Sequence, residues 1–280
     1  MVLLAHEYQS YPAKSCGLKV DRKTVETPQV NVQANQWRRS TLAIGSTLCA
    51  ALLATACGSS SSTPAPSMTP KVMVTSALAN AVNAGWVHEV GVTHLPGHSL
   101  TMVNDIGTVE GRQVINSNGA HSTVLAINNM AYIDADAASI ASYFQLPTST
   151  PQQFAGQWLS IPPTASSYFN AVSASVTLAS DFHNVTFAGP FSAQSESSHH
   201  GVKVIPIEGH VAGPNGSTMI PATLYVTATG RTLPVELSAS KGQISETVEW
   251  THWGQPVSLA VPSTTVPIST VLASGSTTTA

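Results

Sequence analysis

Residues 86–107 read WVHEVGVTHLPGHSLTMVNDIG, and their period is two. Trp86, His88, Val90, Val92 and His94 share one face, 95–98 make a Leu-Pro-Gly-His turn, and Leu100, Met102, Asn104 and Ile106 continue beyond it. Alternation of this kind around a Pro-Gly turn predicts a two-stranded antiparallel unit. Gly107 and Gly111 close it.

Downstream, 114–118, 121–128 and 130–135 alternate in the same way, joined by Asn118-Gly119 and Asn128-Asn129. Asn-Gly between alternating runs is a strong hairpin signal, because both turn positions need positive φ. A helical period follows over 136–145, with Ala137, Ile140, Ala141 and Phe144 in phase, and another over 166–176; 153–163 reads as a short strand leaving a turn. Strands are then expected at 202–211, 219–229, 233–239, 244–250 and 257–261. Upstream, 72–84 predicts a short helix with Ser76 as N-cap and Gly85 as its end. A helix, about five strands, two or three helices and about five more strands predict an α+β fold. Its core would be one large antiparallel sheet with helices on one side.

In front of this domain lies Arg38-Arg39, the small and apolar run 41–56, Cys57, and a Ser/Pro/Thr tract over 58–70. That order predicts a bacterial lipoprotein export signal over 1–56, cleavage before Cys57, and a lipidated cysteine with a linker over 57–71. The apolar run has 16 residues, short of the ~20 that a permanent span needs. Ala54 stands where the best such signals have leucine, with Leu53 one step earlier. Residues 1–36 exceed an ordinary n-region, so a translation start downstream of Met1 is expected, with a long n-region as the alternative. The 13-residue linker averages roughly 20 Å as a coil and reaches at most about 45 Å. The domain is expected over 72–262, and 263–280 as a disordered Ser/Thr-rich tail.

Charge narrows the partners. Of 11 Lys/Arg and 14 Asp/Glu in the chain, six and three precede Cys57, which leaves five and eleven, a net of -6, on the exported part. Phosphate backbones are held by Lys and Arg, so nucleic acid is disfavoured as a ligand. Cys16 and Cys49 fall in the segment to be removed; with Cys57 acylated, the mature domain has no thiol chemistry.

Ten histidines call for a test of metal or acid–base chemistry. His88-Glu89 and His94 resemble a zinc-protease helix, but the second His is at i+6 on a strand and the rings cannot converge. His199-His200, with Glu196 near, could hold a metal loosely; an exposed loop pair is the expectation. His98-Ser99 lacks the closing glycine and the following helix of a nucleophile elbow. Asp134 and Asp136 make a close carboxylate pair that reads as a helix cap. No catalytic residue, metal or cofactor is expected.

Several stretches carry a resemblance: 130–136 (MAYIDAD), Phe144 with Leu146, 156–163 (GQWLSIPP), 209–211, 222–226 (ATLYV), 230–235 (GRTLPV), and Trp250 with 253–257 (WGQPV). Together with the lipobox they resemble the actinobacterial lipoproteins of the LppX/LprA/LprF/LprG type over roughly 72–262. The resemblance implies a LolA-like half-barrel, a curved antiparallel sheet closed by helices. It also implies a cavity that holds acyl chains of a lipid or glycolipid. If that cavity exists, its expected lining is Trp86, Val90, Met102, Ile106, Leu125, Ile127, Phe144, Leu224, Val226 and Val248; a sheet with an ordinary packed core is the alternative. Apolar residues on both faces of 100–109 suit either. The expected function is a non-enzymatic lipoprotein on the extracytoplasmic face of the cell membrane, binding or transporting a lipid. An envelope sensor or protein-interaction lipoprotein without a cavity is the second reading, and a histidine-dependent metalloenzyme the third.

Overall fold

The computed structural model describes residues 68–146, 151–213 and 218–275; Cys57 and the segment expected to be an export signal lie outside them. The opening stretch forms the expected hairpin. β1 (Trp86–Leu95) pairs antiparallel with β2 (His98–Gly107), from Trp86 opposite Gly107 to Leu95 opposite His98. β3 (Gly111–Ser117), β4 (Ala120–Ile127) and β5 (Met130–Ala135) extend the meander. Both of its later turns carry positive φ at two successive residues: 45° and 87° at Asn118-Gly119, 52° and 58° at Asn128-Asn129. This is the twist that two-residue hairpins require.

β6 (Leu159–Ile161) lies antiparallel beside β5. The second series is β7 (Phe187–Ala193), β8 (Ser197–His199), β9 (Val202–Ala212), β10 (Met219–Thr227), β11 (Pro234–Lys241) and β12 (Ile244–Thr251). β12 pairs with β1, so the two series fuse into one sheet. β13 (Val266–Pro267) adds a parallel edge on β6. The sheet has 13 strands in the order β13-β6-β5-β4-β3-β2-β1-β12-β11-β10-β9-β7, with β8 attached to β9.

The helices among the described residues pack on one face of this sheet. α1 (Pro70–Val82) and α4 (Leu178–Asn184) bury Val74, Ala77, Ala81, Leu178 and Phe182 against β1, β2 and β9–β12. α2 (Ala137–Phe144), α3 (Ser166–Ser173) and α5 (Ile268–Gly275) bury Ile140, Phe144, Val172, Ile268 and Val271 against β4–β6. Gly111 permits the closest approach: an added Cβ there would meet the backbone oxygens of Val176 and, at 2.8 Å, Asp105. This is the open, curled antiparallel sheet of an α+β, half-barrel fold.

Four expectations need correction. α1 starts at Pro70 with Thr69 as N-cap, not at Ser76; its hydroxyl accepts from Val72 N at 3.4 Å. Thr-Pro supplies a cap and a pre-set first helical φ together, which outweighs a serine inside the period. Residues 257–261 are not a strand. Val257 and Val261 are exposed, while Leu259 covers Leu125 and Tyr132. Part of the tail expected to be disordered from 263 onward is structured: β13 and α5 occupy 266–275, because Ile268, Val271 and Leu272 fall at i, i+3 and i+4 and reach the core. The strand expected to run over 100–109 stops at Gly107, and Val109 lies in the β2–β3 turn, 81% exposed, rather than on a strand face. Among the described residues no helix is long and apolar enough to cross a membrane.

Candidate functional site: a polar seam between sheet and helices

Register defines the faces. Antiparallel partners point the same way, so Trp250, Glu89, Asn104, Gln113, Val124, Ile133 and Leu159 form one lateral row on the helix-covered face. The neighbouring row runs Ile207, Leu224, Leu237, Val248, Gly91, Met102, Ile115, Ser122, Ala135. Two apolar clusters occupy this face, one under α1 and α4, the other under α2, α3 and α5. Between them the first row turns polar: Glu89, Asn104 and Gln113 are 0%, 1% and 3% exposed, and Asp181 of α4 descends onto them at 7%.

Glu89 gathers the seam. Its Oε1 accepts from Asn104 Nδ2 at 2.7 Å and its Oε2 from Trp250 Nε1 at 2.7 Å. Burial pushes its carboxyl well above the ordinary range, and the neighbouring charge of Asp181 pushes it further. Asp181, which hydrogen-bonds to Glu89, is also raised by burial. Two buried carboxyls so placed hold a proton between them, since both cannot ionise without a counter-charge. Gln113 donates to Met102 Sδ at 3.1 Å and to the Ser175 carbonyl at 3.4 Å. Three oxygens remain without a partner although fully buried: Asn104 Oδ1, Gln113 Oε1 and Asp181 Oδ2. Each such acceptor costs about 1–3 kcal/mol when nothing donates to it.

The ten expected lining residues divide between the faces. Met102, Ile106, Leu224, Val226 and Val248 project to the helix-covered face, and Phe144 of α2 lies in the separate second cluster on that face, all 3% exposed or less. Trp86, Val90, Leu125 and Ile127 project from the opposite face, in register with Gly107, Val103, Arg112 and Met130. One cavity cannot be lined by both sets. In strands apolar on both sides, periodicity separates the faces but does not say which one the helices cover.

That opposite, outer face has its own features. A groove of about 530 Å³ is lined by Pro190, Phe191, Glu208, His210, Pro221 and Thr223, among others, and none of the ten residues borders it. Asp105 binds His88 Nδ1 at 2.8 Å and Arg112 at 2.6 Å. The histidine pair expected in an exposed loop is instead tied down: His199 and His200 both place Nε2 on Glu236 Oε2, at 2.9 and 3.1 Å. Asp136 caps α2 as expected. Burial alone would raise its carboxyl, but the backbone N–H groups of Ser139 and His121 donate to it and hold it below the usual value.

Glu89, Asn104, Gln113, Asp181 and Glu236 were not among the expected site residues. One signal existed: Glu89 alternates with Val87 and Gly91, so a charge falls on the same side as a β-branched residue. The remainder meet only through register or through α4, which has seven residues and no periodicity to read.

The architecture is an open, curled antiparallel sheet with helices on one face. The chain is similar to LprF from Mycobacterium bovis, with a TM-score of 0.45 and 16% identity over 68% of this chain and 95% of that one. It is similar to the lipoprotein LppX of Mycobacterium tuberculosis, at 0.42 and 15% over 67% and 96%. A putative outer membrane lipoprotein-sorting protein domain from Vibrio parahaemolyticus gives 0.27 and 9% over 66% and 92%. No family model and no curated protein matches the chain. What this chain binds has to come from its own residues.

Proposed function

We propose that this chain is a membrane-tethered lipoprotein of the cell envelope that takes up a lipid or glycolipid between its sheet and its helices. The seam carries the reading. Apolar side chains surround a strip of buried hydrogen-bonding groups, three of them unpartnered. An amphiphile suits that combination: hydroxyl or amide groups donate to the free oxygens while its chains lie on the apolar rows. Each buried methylene contributes about 0.8 kcal/mol. Both clusters are buried, so uptake requires α1 to part from β7, β10 and β11 and α4 to part from β1 and β12.

Acyl and diacylglyceryl groups on Cys57 anchor the domain to the extracytoplasmic face, since one chain alone binds marginally and two or more hold stably. The linker keeps the domain within roughly 20–45 Å of its ligands. Neither nucleic acid nor a catalytic step enters this reading. Native mass spectrometry of the full chain extracted from its membrane tests it: a co-purified lipid of defined mass is expected. Lipid-free protein across several mild detergents overturns it. That result would favour the second reading, in which the outer-face groove at Phe191 and Glu208 serves a protein partner.

A further inference from the structure

On the outer face, away from the seam, we propose that His199, His200 and Glu236 form a binding site for a divalent transition-metal ion, with Zn²⁺ as the probe.

Local chain geometry fixes all three side chains. His199 ends β8 opposite Val202, and His200-Gly201 is the two-residue turn into β9, with φ of 49° and 80°. A turn with positive φ at both positions is the tight hairpin form, so the histidines sit on a rigid corner rather than a loop. The His199 ring lies flat on Tyr225, centroids 4.0 Å apart at 7°, and His200 meets His199 edge-on at 4.3 Å. Tyr225 is the cross-strand partner of Glu236. Stacking therefore delivers the imidazoles over the carboxylate.

The separations suit a metal. One ligand atom from each of the three residues lies within 4.8 Å of the others, and both Nε2 atoms contact the same oxygen. Ligand bonds of about 2.0–2.1 Å in a tetrahedron put neighbouring donors about 3.3 Å apart. The observed 2.9 and 3.1 Å need to open by only a few tenths of an ångström. Two imidazoles and a carboxylate are a donor set that zinc and its neighbours favour. Exposure falls from 53% at the His200 side chain through 24% at His199 to 10% at Glu236, which leaves an open fourth position toward solvent.

Charge supplies a second reason. Glu236 stands directly opposite Glu249 of β12 on the same face. Like charges at facing positions destabilise a sheet, and among the described residues no Lys or Arg forms an ion pair with either. A dication held by Glu236 would offset that repulsion.

The test is titration of the full chain, purified in detergent, with Zn²⁺ against a chromophoric chelator. One Zn²⁺ per chain is expected, with affinity reduced about 10-fold or more in His200→Ala and in Glu236→Gln, and unchanged in His94→Ala. His200→Ala removes a half-exposed turn side chain, so it reports even if Glu236→Gln fails to fold. Absence of stoichiometric uptake by the wild type overturns the proposal, as does affinity unaffected by His200→Ala. Lipid content is read separately, so either result stands apart from the seam.

Discussion

Glu89 accepts two hydrogen bonds in a site that water does not reach, and its chemistry there follows from linkage. Its carboxyl is raised in the folded chain by burial first and by Asp181 second. The native state therefore holds a proton that the unfolded chain releases near its ordinary value of 4.5. Stability contributed by this group is present below that value and falls as pH rises toward the folded pKa, by at most about 1.4 kcal/mol per pH unit. Glu89→Gln should flatten that fall and raise the melting temperature at pH 8 relative to wild type, measured by thermal denaturation from pH 5 to 8. Asn104 Oδ1, now without a donor, can accept from the new amide after a flip of its own. Glu89→Leu should destabilise by about 2–4 kcal/mol instead, since Trp250 Nε1 and Asn104 Nδ2 both lose their acceptor.

At the scale of elements, the helix ends and the last helix hold separable contributions. Asp136 joins α2 to β4 through Ser139 N at 2.9 Å and His121 N at 2.6 Å. Asp136→Ala should cost about 1–2 kcal/mol in chemical denaturation. Its folded pKa is depressed, so that stability is present above the ordinary value of 3.8 and is lost as pH falls through the folded pKa. α5 is as much a part of the core as α2: Ile268→Ala should destabilise by about 2–5 kcal/mol. A disordered tail would give no change.

These elements also show how far sequence reached. β1 to β5 were legible because period two, Asn118-Gly119 and Asn128-Asn129 act over a few residues. α5 was not, because Ser269, Thr270 and Ser274 mask a three-residue apolar stripe that gains its meaning only against β6. The seam was less legible still. Glu89 lies 15 residues from Asn104 and 161 from Trp250, and nothing local records those distances. Glu236 and its two histidines, 36 and 37 residues apart, present the same difficulty.

For the whole molecule, one sheet carries two unlike faces. The helix-covered face places apolar rows around a polar strip, and the outer face carries a groove, a histidine–carboxylate cluster and the Asp105 ion pairs. Under the proposed function the ligand lies on the first face, and α1 and α4 move for it to enter. Hydrogen–deuterium exchange of the full chain, compared with and without the co-purified lipid, tests this most directly. Removing the lipid should speed exchange in α1 (Pro70–Val82) and α4 (Leu178–Asn184), with β8 (Ser197–His199), which carries none of the helix-covered cluster, unchanged. Exchange altered at Ser197–His199 while α1 and α4 stay as they were would contradict it.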